Sequence, residues 1–185
     1  KIRREGLDYQ SYWMYEWAGV DPETGSPLWY TDSTRTTTSS STGDLQRFLI
    51  DKTATPSFYG GFTTNLTWKG FSVNAQFSYS WDSWMYDATA WVLQGDGRFT
   101  PRSQTNLALD RWQEPGDVTD VPRFAWGNTS GSNLRNSTRY LYDGTFIRLR
   151  NLTVAYNLPK NVVSAIKLSS ARVYFRGINM WTWPR

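Results

Sequence analysis

Residues 65–84 read NLTWKGFSVNAQFSYSWDSW. After Lys69-Gly70, one parity is Phe71, Val73, Ala75, Phe77, Tyr79 and Trp81, and the other is Ser72, Asn74, Gln76, Ser78 and Ser80. A strand points alternate side chains to opposite faces. This strand therefore has one oily, aromatic-rich face and one polar face without a single charge. A soluble sandwich would turn its oily face inward and carry Lys, Glu and Asp outward. Lipid on one side and a wet, crowded lumen on the other would select the two faces seen here.

The pattern extends upstream. In TPSFYGGFTTNLTW (55–68), Phe62, Thr64, Leu66 and Trp68 share one parity, and Thr63, Asn65 and Thr67 share the other. Lys69-Gly70 is then a two-residue hairpin connection, with glycine where a positive φ is wanted. Trp68 and Phe71 flank this turn while Trp81 and Trp84 lie at the far end, as two membrane interfaces require.

Downstream, TFIRLRNLTVAYNLP (145–159) reads as another strand. Its oily parity switches from Ile147 and Leu149 to Leu152, Val154 and Tyr156, which predicts a bulge near Arg150. PKNVVSAIKLSS (159–170) is a short connection with room for one helical turn. ARVYFRGINMWTWPR (171–185) is a last strand, with Val173 and Phe175 on one face and Arg172, Tyr174 and Arg176 on the other.

The remaining segments are of a different kind. LDYQSYWMYEWAG (7–19) is aromatic and extended, DPETGSP (21–27) is a Pro/Gly turn, and LWYTD (28–32) resumes the strand. STRTTTSSSTGD (33–44) is a Ser/Thr-rich loop with nothing to bury. Residues 82–143 far exceed the roughly 12–15 residues of ordinary loops. Within them SQTNLALDRWQE (103–114) is predicted helical, with Ser103 as cap and Leu107, Leu109 and Trp112 as its stripe. Tight turns thus mark one end of the strands and a very long loop the other. Outer-membrane barrels have this bias, with short periplasmic turns and long extracellular loops.

Composition narrows the function classes. Aromatics make up 17% of the 185 residues, with 11 Trp and 11 Tyr, yet mean hydropathy is −0.59. Aromatics in a polar chain serve glycan stacking, protein interfaces or membrane girdles. With no His and no Cys, the commonest general base, thiol chemistry and every His-containing triad are absent, so the chain is not read as an enzyme. The net charge of +4 is scattered rather than gathered on one face, which argues against nucleic acid. No run reaches the roughly 18 apolar residues of a spanning helix, a test blind to β-barrels.

Neither DPETG with nearby Asp32 nor QGDGRF around Asp96 offers the spaced ligands of a calcium loop, so no metal or other cofactor is expected. Asp110 and Glu114 are read as a solvated helix face rather than a glycosidase pair. Sequons at Asn65, Asn128, Asn136 and Asn151 are read as chance triplets in a Ser/Thr/Asn-rich chain.

Taken together, YEWAGVDPETGSPLWY (15–30), TPSFYGGFTTNLTWKGFSVNAQFSYSW (55–81), RWQEPGDVTDVPR (111–123), YLYDGTFIRLRNLTVAYNLP (140–159) and ARVYFRGINMWTW (171–183) resemble the C-terminal barrel segments of the SusC/RagA family of TonB-dependent outer-membrane transporters. The resemblance covers nearly the whole chain outside the Ser/Thr loop. It implies an all-β fold: part of a large antiparallel transmembrane barrel of about 22 strands with a plugged lumen, in a Bacteroidetes-type outer membrane. It also implies import of oligosaccharides or peptides under a SusD-like surface lipoprotein lid. Residues 1–185 are expected to be the C-terminal portion of such a barrel, with 82–143 as a long extracellular loop. The plug, the first barrel half and the TonB-contacting part would belong to a longer polypeptide. The strands legible here are fewer than the roughly eight that close a barrel. The alternative from another class is a secreted, Trp-rich carbohydrate-binding β-sandwich.

Two groups of candidate residues follow. The loop aromatics Trp84, Tyr86, Trp91, Trp112 and Trp126 are candidates for contacting cargo or the lid, against the alternative that they pack loop on loop. Arg148, Arg150, Arg172 and Arg176 lie in strand patterns. At mid-depth in lipid each would cost ~2–4 kcal/mol, so they are expected to face the lumen or a rim.

Overall fold

The computed structural model describes residues 2–99, 102–128, 131, 133–165 and 167–185. In chain order its strands are β1 (Ser11–Met14), β2 (Trp17–Val20), β3 (Pro27–Tyr30), β4 (Thr38–Ser39), β5 (Phe48–Thr53), β6 (Phe58–Trp68), β7 (Phe71–Trp81), β8 (Trp84–Tyr86), β9 (Leu141–Asp143), β10 (Phe146–Asn157) and β11 (Arg172–Pro184). Two short helices accompany them, α1 (Ala88–Leu93) and α2 (Lys160–Ala165). The chain forms two units, one from Lys1–Ala54 and Trp84–Tyr142, the other from Thr55–Ser83 and Asp143–Arg185.

The second unit is a four-stranded antiparallel sheet in the order β11-β10-β7-β6. Its register carries the alternation of the sequence across every strand. Phe62 sits opposite Phe77, Leu66 opposite Val73 and Trp68 opposite Phe71. Across the next boundary Leu149 faces Phe77, Val154 faces Val73 and Tyr156 faces Phe71, and Trp183, Trp181 and Phe175 continue the row from Ile147, Leu149 and Val154. Directly opposed residues share a face, so one side of the sheet is predominantly apolar, with Thr64 opposite Ala75. The other side aligns Asn65 with Asn74 and Thr63 with Gln76, then Asn151 with Gln76 and Thr153 with Asn74. Side-chain bonds Asn74 Nδ2 to Asn65 Oδ1 (2.5 Å) and Asn151 Nδ2 to Gln76 Oε1 (2.7 Å) tie that face together.

The apolar face is not a core. Phe58, Phe62, Leu66 and Trp68 are each more than half exposed, and so are Val173, Phe175 and Trp181. Among the described residues of this unit there is no second sheet to cover it, as a sandwich would need. The expected bulge lies where the parity switched: the register slips between Leu149 and Asn151 against both neighbours, leaving Arg150 as the extra residue. Lys69 (φ 44°) and Gly70 (φ 88°) give the hairpin two left-handed residues, the turn that matches strand twist. The β10–β11 connection holds α2, at the same end of the sheet. From the opposite end, marked by Phe58, Trp81 and Phe146, the chain leaves for and returns from the other unit.

The first unit is built of short elements. Its hydrophobic cluster is Tyr12, Met14, Ile50 and Leu141, with Phe48, Ala54, Trp84 and Tyr86 packed against it. β1 pairs with β5, β2-β3-β4 form a three-stranded sheet and β8 pairs with β9. The DPETGSP turn closes on Asp21, whose carboxylate accepts from Glu23 N (3.0 Å) and the Thr24 hydroxyl (2.7 Å). The Ser/Thr loop is drawn together by Asp32, which accepts from the amides of Thr34, Thr36 and Thr37 (2.9, 3.2 and 2.7 Å) and from the hydroxyls of Thr34 and Thr37.

The helix expected over 103–114 is a correction. Only Asn106–Asp110 is helical, as a 3-10 segment with no side-chain cap from its N-cap Thr105, and Leu107 and Leu109 are exposed. Longer-range bonds win over local helix bonding: Trp112 N donates to Val121 O (2.9 Å), and the Asp117 carboxylate accepts from Gln113 N and Glu114 N (2.9 and 3.1 Å). Asp110 and Glu114 therefore do not share a helix face. The Asn128 sequon runs into residues 129–130, outside the described ones.

Candidate functional site

The four arginines occupy the long sheet. Arg148 pairs with Thr182 and Ser78, Arg176 with Thr153, and Arg172 with Asn157, so all three belong to the polar face. Arg148 Nε donates to Thr182 Oγ1 (3.0 Å) and Arg172 Nη2 to Ser72 Oγ (3.4 Å). Arg172, Tyr174, Arg176 and Thr153 line one groove on that face. Arg150 is the bulge residue and is exposed. The four long strands contain no Asp or Glu, so the polar groups of this face are hydroxyls, amides and guanidiniums, with no carboxylate.

The five aromatic candidates lie in the first unit and do not converge on one place. Trp84 packs against the Tyr12 cluster; its carbonyl accepts from Tyr12 Oη (2.8 Å) and Lys52 Nζ sits 3.0 Å from its ring centroid. Tyr86 meets Tyr140 edge-on at 6.5 Å, its Oη accepts from Asn136 N (3.3 Å), and burial pushes its phenol up. Trp112 is clamped on the 21–26 turn: Nε1 donates to Pro22 O (2.8 Å), and its ring covers the space a side chain on Gly25 would need. Trp126 presents an open ring, 71% exposed.

Trp91 is the best furnished. It lies on α1, capped by Asp87, whose carboxylate accepts from Thr89 N and Ala90 N (2.8 and 2.9 Å). Phe99 meets its ring edge-on at 5.2 Å. Arg98 and Arg135 place their guanidinium carbons 5.6 and 5.2 Å from its centroid, within cation–π range. Beneath it Asn133, wholly buried, donates Nδ2 to Trp91 O (2.9 Å) and to Tyr140 Oη (3.1 Å), and its backbone carbonyl accepts from Arg98 Nη1 (3.0 Å). Beside these, Arg139 forms a two-pronged ion pair with Asp96. Sequence reading weighed Asp96 only as part of a calcium loop, and passed over Asn133, Arg98, Arg135 and Arg139. The one available signal was the Asp-Gly turn at 96–97, where Asp96 takes φ 46° and Gly97 φ 96°.

No family model matches the chain. It is 33% identical over 129 residues to "TonB-dependent receptor P3" of Formosa agariphila, covering 70% of this chain and 12% of that protein. It is 26% identical over 130 residues to "TonB-dependent receptor P26" of the same organism, covering 69% of this chain and 12% of the other. Among solved structures it superimposes on the RagAB peptide transporter with a TM-score of 0.73 and 32% identity, over 95% of this chain and 19% of that one. The RagAB peptide importer in its open-open state gives 0.72 and 31%, with the same coverage. The chain thus spans about an eighth of the two receptors and about a fifth of the superimposed chains.

Proposed function

Because this chain belongs to the SusC/RagA-type family of TonB-dependent transporters, we propose that it supplies barrel wall and extracellular loops to a machine importing oligosaccharides or peptides across a Bacteroidetes-type outer membrane. The sheet β6-β7-β10-β11 is the wall. Its apolar face meets hydrocarbon, and its Ser, Thr, Asn, Gln and Arg face meets the lumen. Strands of 11 to 13 residues, at ~3.3 Å per residue and a tilt near 45°, cross about 25 Å, the height of a barrel's apolar band. Trp68, Phe71 and Tyr156 stand at one margin of that band, and Phe58, Trp81 and Trp183 at the other. Arg148, Arg172 and Arg176 face the lumen, and Arg150 lies near the bulge.

The first unit is the extracellular part, and residues 82–143 within it are the loop that meets cargo or a SusD-like lid. Trp126 is its open platform, whereas Trp84, Tyr86 and Trp112 hold the loop together. The energy for opening reaches the barrel through TonB, by way of segments beyond these residues. No residue here performs covalent chemistry. The observation that carries this reading is a sheet with one predominantly apolar face, largely exposed, and no carboxylate on the other. It is tested in the complete receptor by replacing residues 84–142 with a short Gly/Ser linker. Barrel insertion should persist and cargo uptake should be lost; unchanged uptake would overturn the assignment of the loop.

A further inference from the structure

We propose that Arg98 and Arg135, mounted on the ring of Trp91, form a site for a carboxylate-bearing ligand. The two guanidinium carbons lie 5.6 and 5.2 Å from the same ring centroid, and both side chains are exposed. Two like charges on one small aromatic surface repel each other, and neither is held in an ion pair among the described residues. Asp96 pairs with Arg139, and the Asp87 carboxylate, though charged and near, is turned to the amides that open α1. Neither arginine has a carboxylate partner among the described residues.

The geometry is that of a prepared receptor rather than of two loose surface charges. A guanidinium drawn to an aromatic ring by cation–π attraction is positioned without spending its N–H donors. Arg98 spends one of its five N–H groups on Asn133 O (3.0 Å). Asn133 is itself held through its side-chain Nδ2 by Trp91 O and Tyr140 Oη, so the support reaches a wholly buried residue. The remaining N–H groups match the paired oxygens of a carboxylate, which guanidinium grips two at a time. A neutral sugar or peptide offers no such charge, so the site selects for acidity rather than for shape.

This proposal rests on the geometry around Trp91 and is independent of whether the 82–143 loop governs uptake. Its test is equilibrium binding to the purified complete receptor, with three probes: a blocked tri-glutamate peptide, the matching tri-glutamine peptide and trigalacturonate. The tri-glutamate peptide should bind more tightly than tri-glutamine and weaken as salt rises. Arg135→Gln, which breaks no hydrogen bond among the described residues, should weaken it by about tenfold, the scale of one charge-assisted contact. Arg98→Lys, which keeps the charge but not the fork, should weaken it to a smaller extent. Trigalacturonate binding with the same loss on Arg135→Gln would show that the carboxylate alone is read; failure of trigalacturonate would assign the site to acidic peptides. Equal binding of tri-glutamate and tri-glutamine, or unchanged tri-glutamate binding in the Arg135→Gln receptor, would overturn the proposal.

Discussion

Arg139 directs both terminal nitrogens of its guanidinium at the two carboxylate oxygens of Asp96, and the side chains are only 6% and 3% exposed. Removing one partner of a buried pair strands the other charge, at about 3–5 kcal/mol. Asp96→Asn and Arg139→Met should each destabilise the first unit on that scale, read as protease susceptibility of residues 84–142 in the complete receptor. The double variant should recover a substantial part, because no lone charge remains.

Gly25 and Trp112 form a second clamp. Gly25 has φ +66° and no room for a Cβ beneath the Trp112 ring. Gly25→Ala combines backbone strain with overpacking, each of order 1–3 kcal/mol. Trp112→Phe loses the bond to Pro22 O and should cost about 1 kcal/mol. Amide exchange in residues 20–26 and 111–121 should rise strongly in the first variant and mildly in the second.

In the sheet, Gly61 is the sensitive position. A Cβ there would stand 2.7 Å from the Phe77 carbonyl oxygen, which is backbone and cannot swing aside. Gly61→Val should lower the yield of folded, heat-modifiable barrel, whereas Thr63→Val, opposite Gln76, should be tolerated.

The Ser/Thr loop carries a pH signature. Bonds from the hydroxyls of Thr34 and Thr37 hold the Asp32 carboxyl well below the usual carboxylate range. A depressed folded value contributes order that is fully present above the unfolded pKa of about 3.9 and lost as pH falls through the folded one. Amide protection at Thr34, Thr36 and Thr37 should therefore persist at pH 4 and vanish in Asp32→Ala at every pH.

The wall was legible in the sequence because its determinants are local. The period of two in Phe71–Trp81, the Lys69-Gly70 turn and the parity switch at Arg150 each need only neighbouring residues to be read. The loop unit was not, because its determinants are distant in the chain. Asp96 finds Arg139 across 43 positions, Asn133 finds Trp91 across 42, and Trp112 finds Pro22 across 90. The last of these explains the failed helix: the 103–114 stripe has helical spacing, but Trp112 is drawn to Pro22 and its amide to Val121. The candidate aromatics were picked out as a class, yet the residues that furnish Trp91 are arginines and an asparagine brought in from elsewhere.

The central claim is that one face of the long sheet meets lipid and the other water. Spin labels placed singly at Val73, Phe77 and Phe175 and at Asn74, Ser78 and Tyr174 of the complete receptor in lipid vesicles test it directly. Collisions with oxygen should dominate at the first three positions, and collisions with a water-soluble nickel complex at the second three. Equal nickel accessibility on both faces, or shielding of the first three positions from both reagents, would contradict the account.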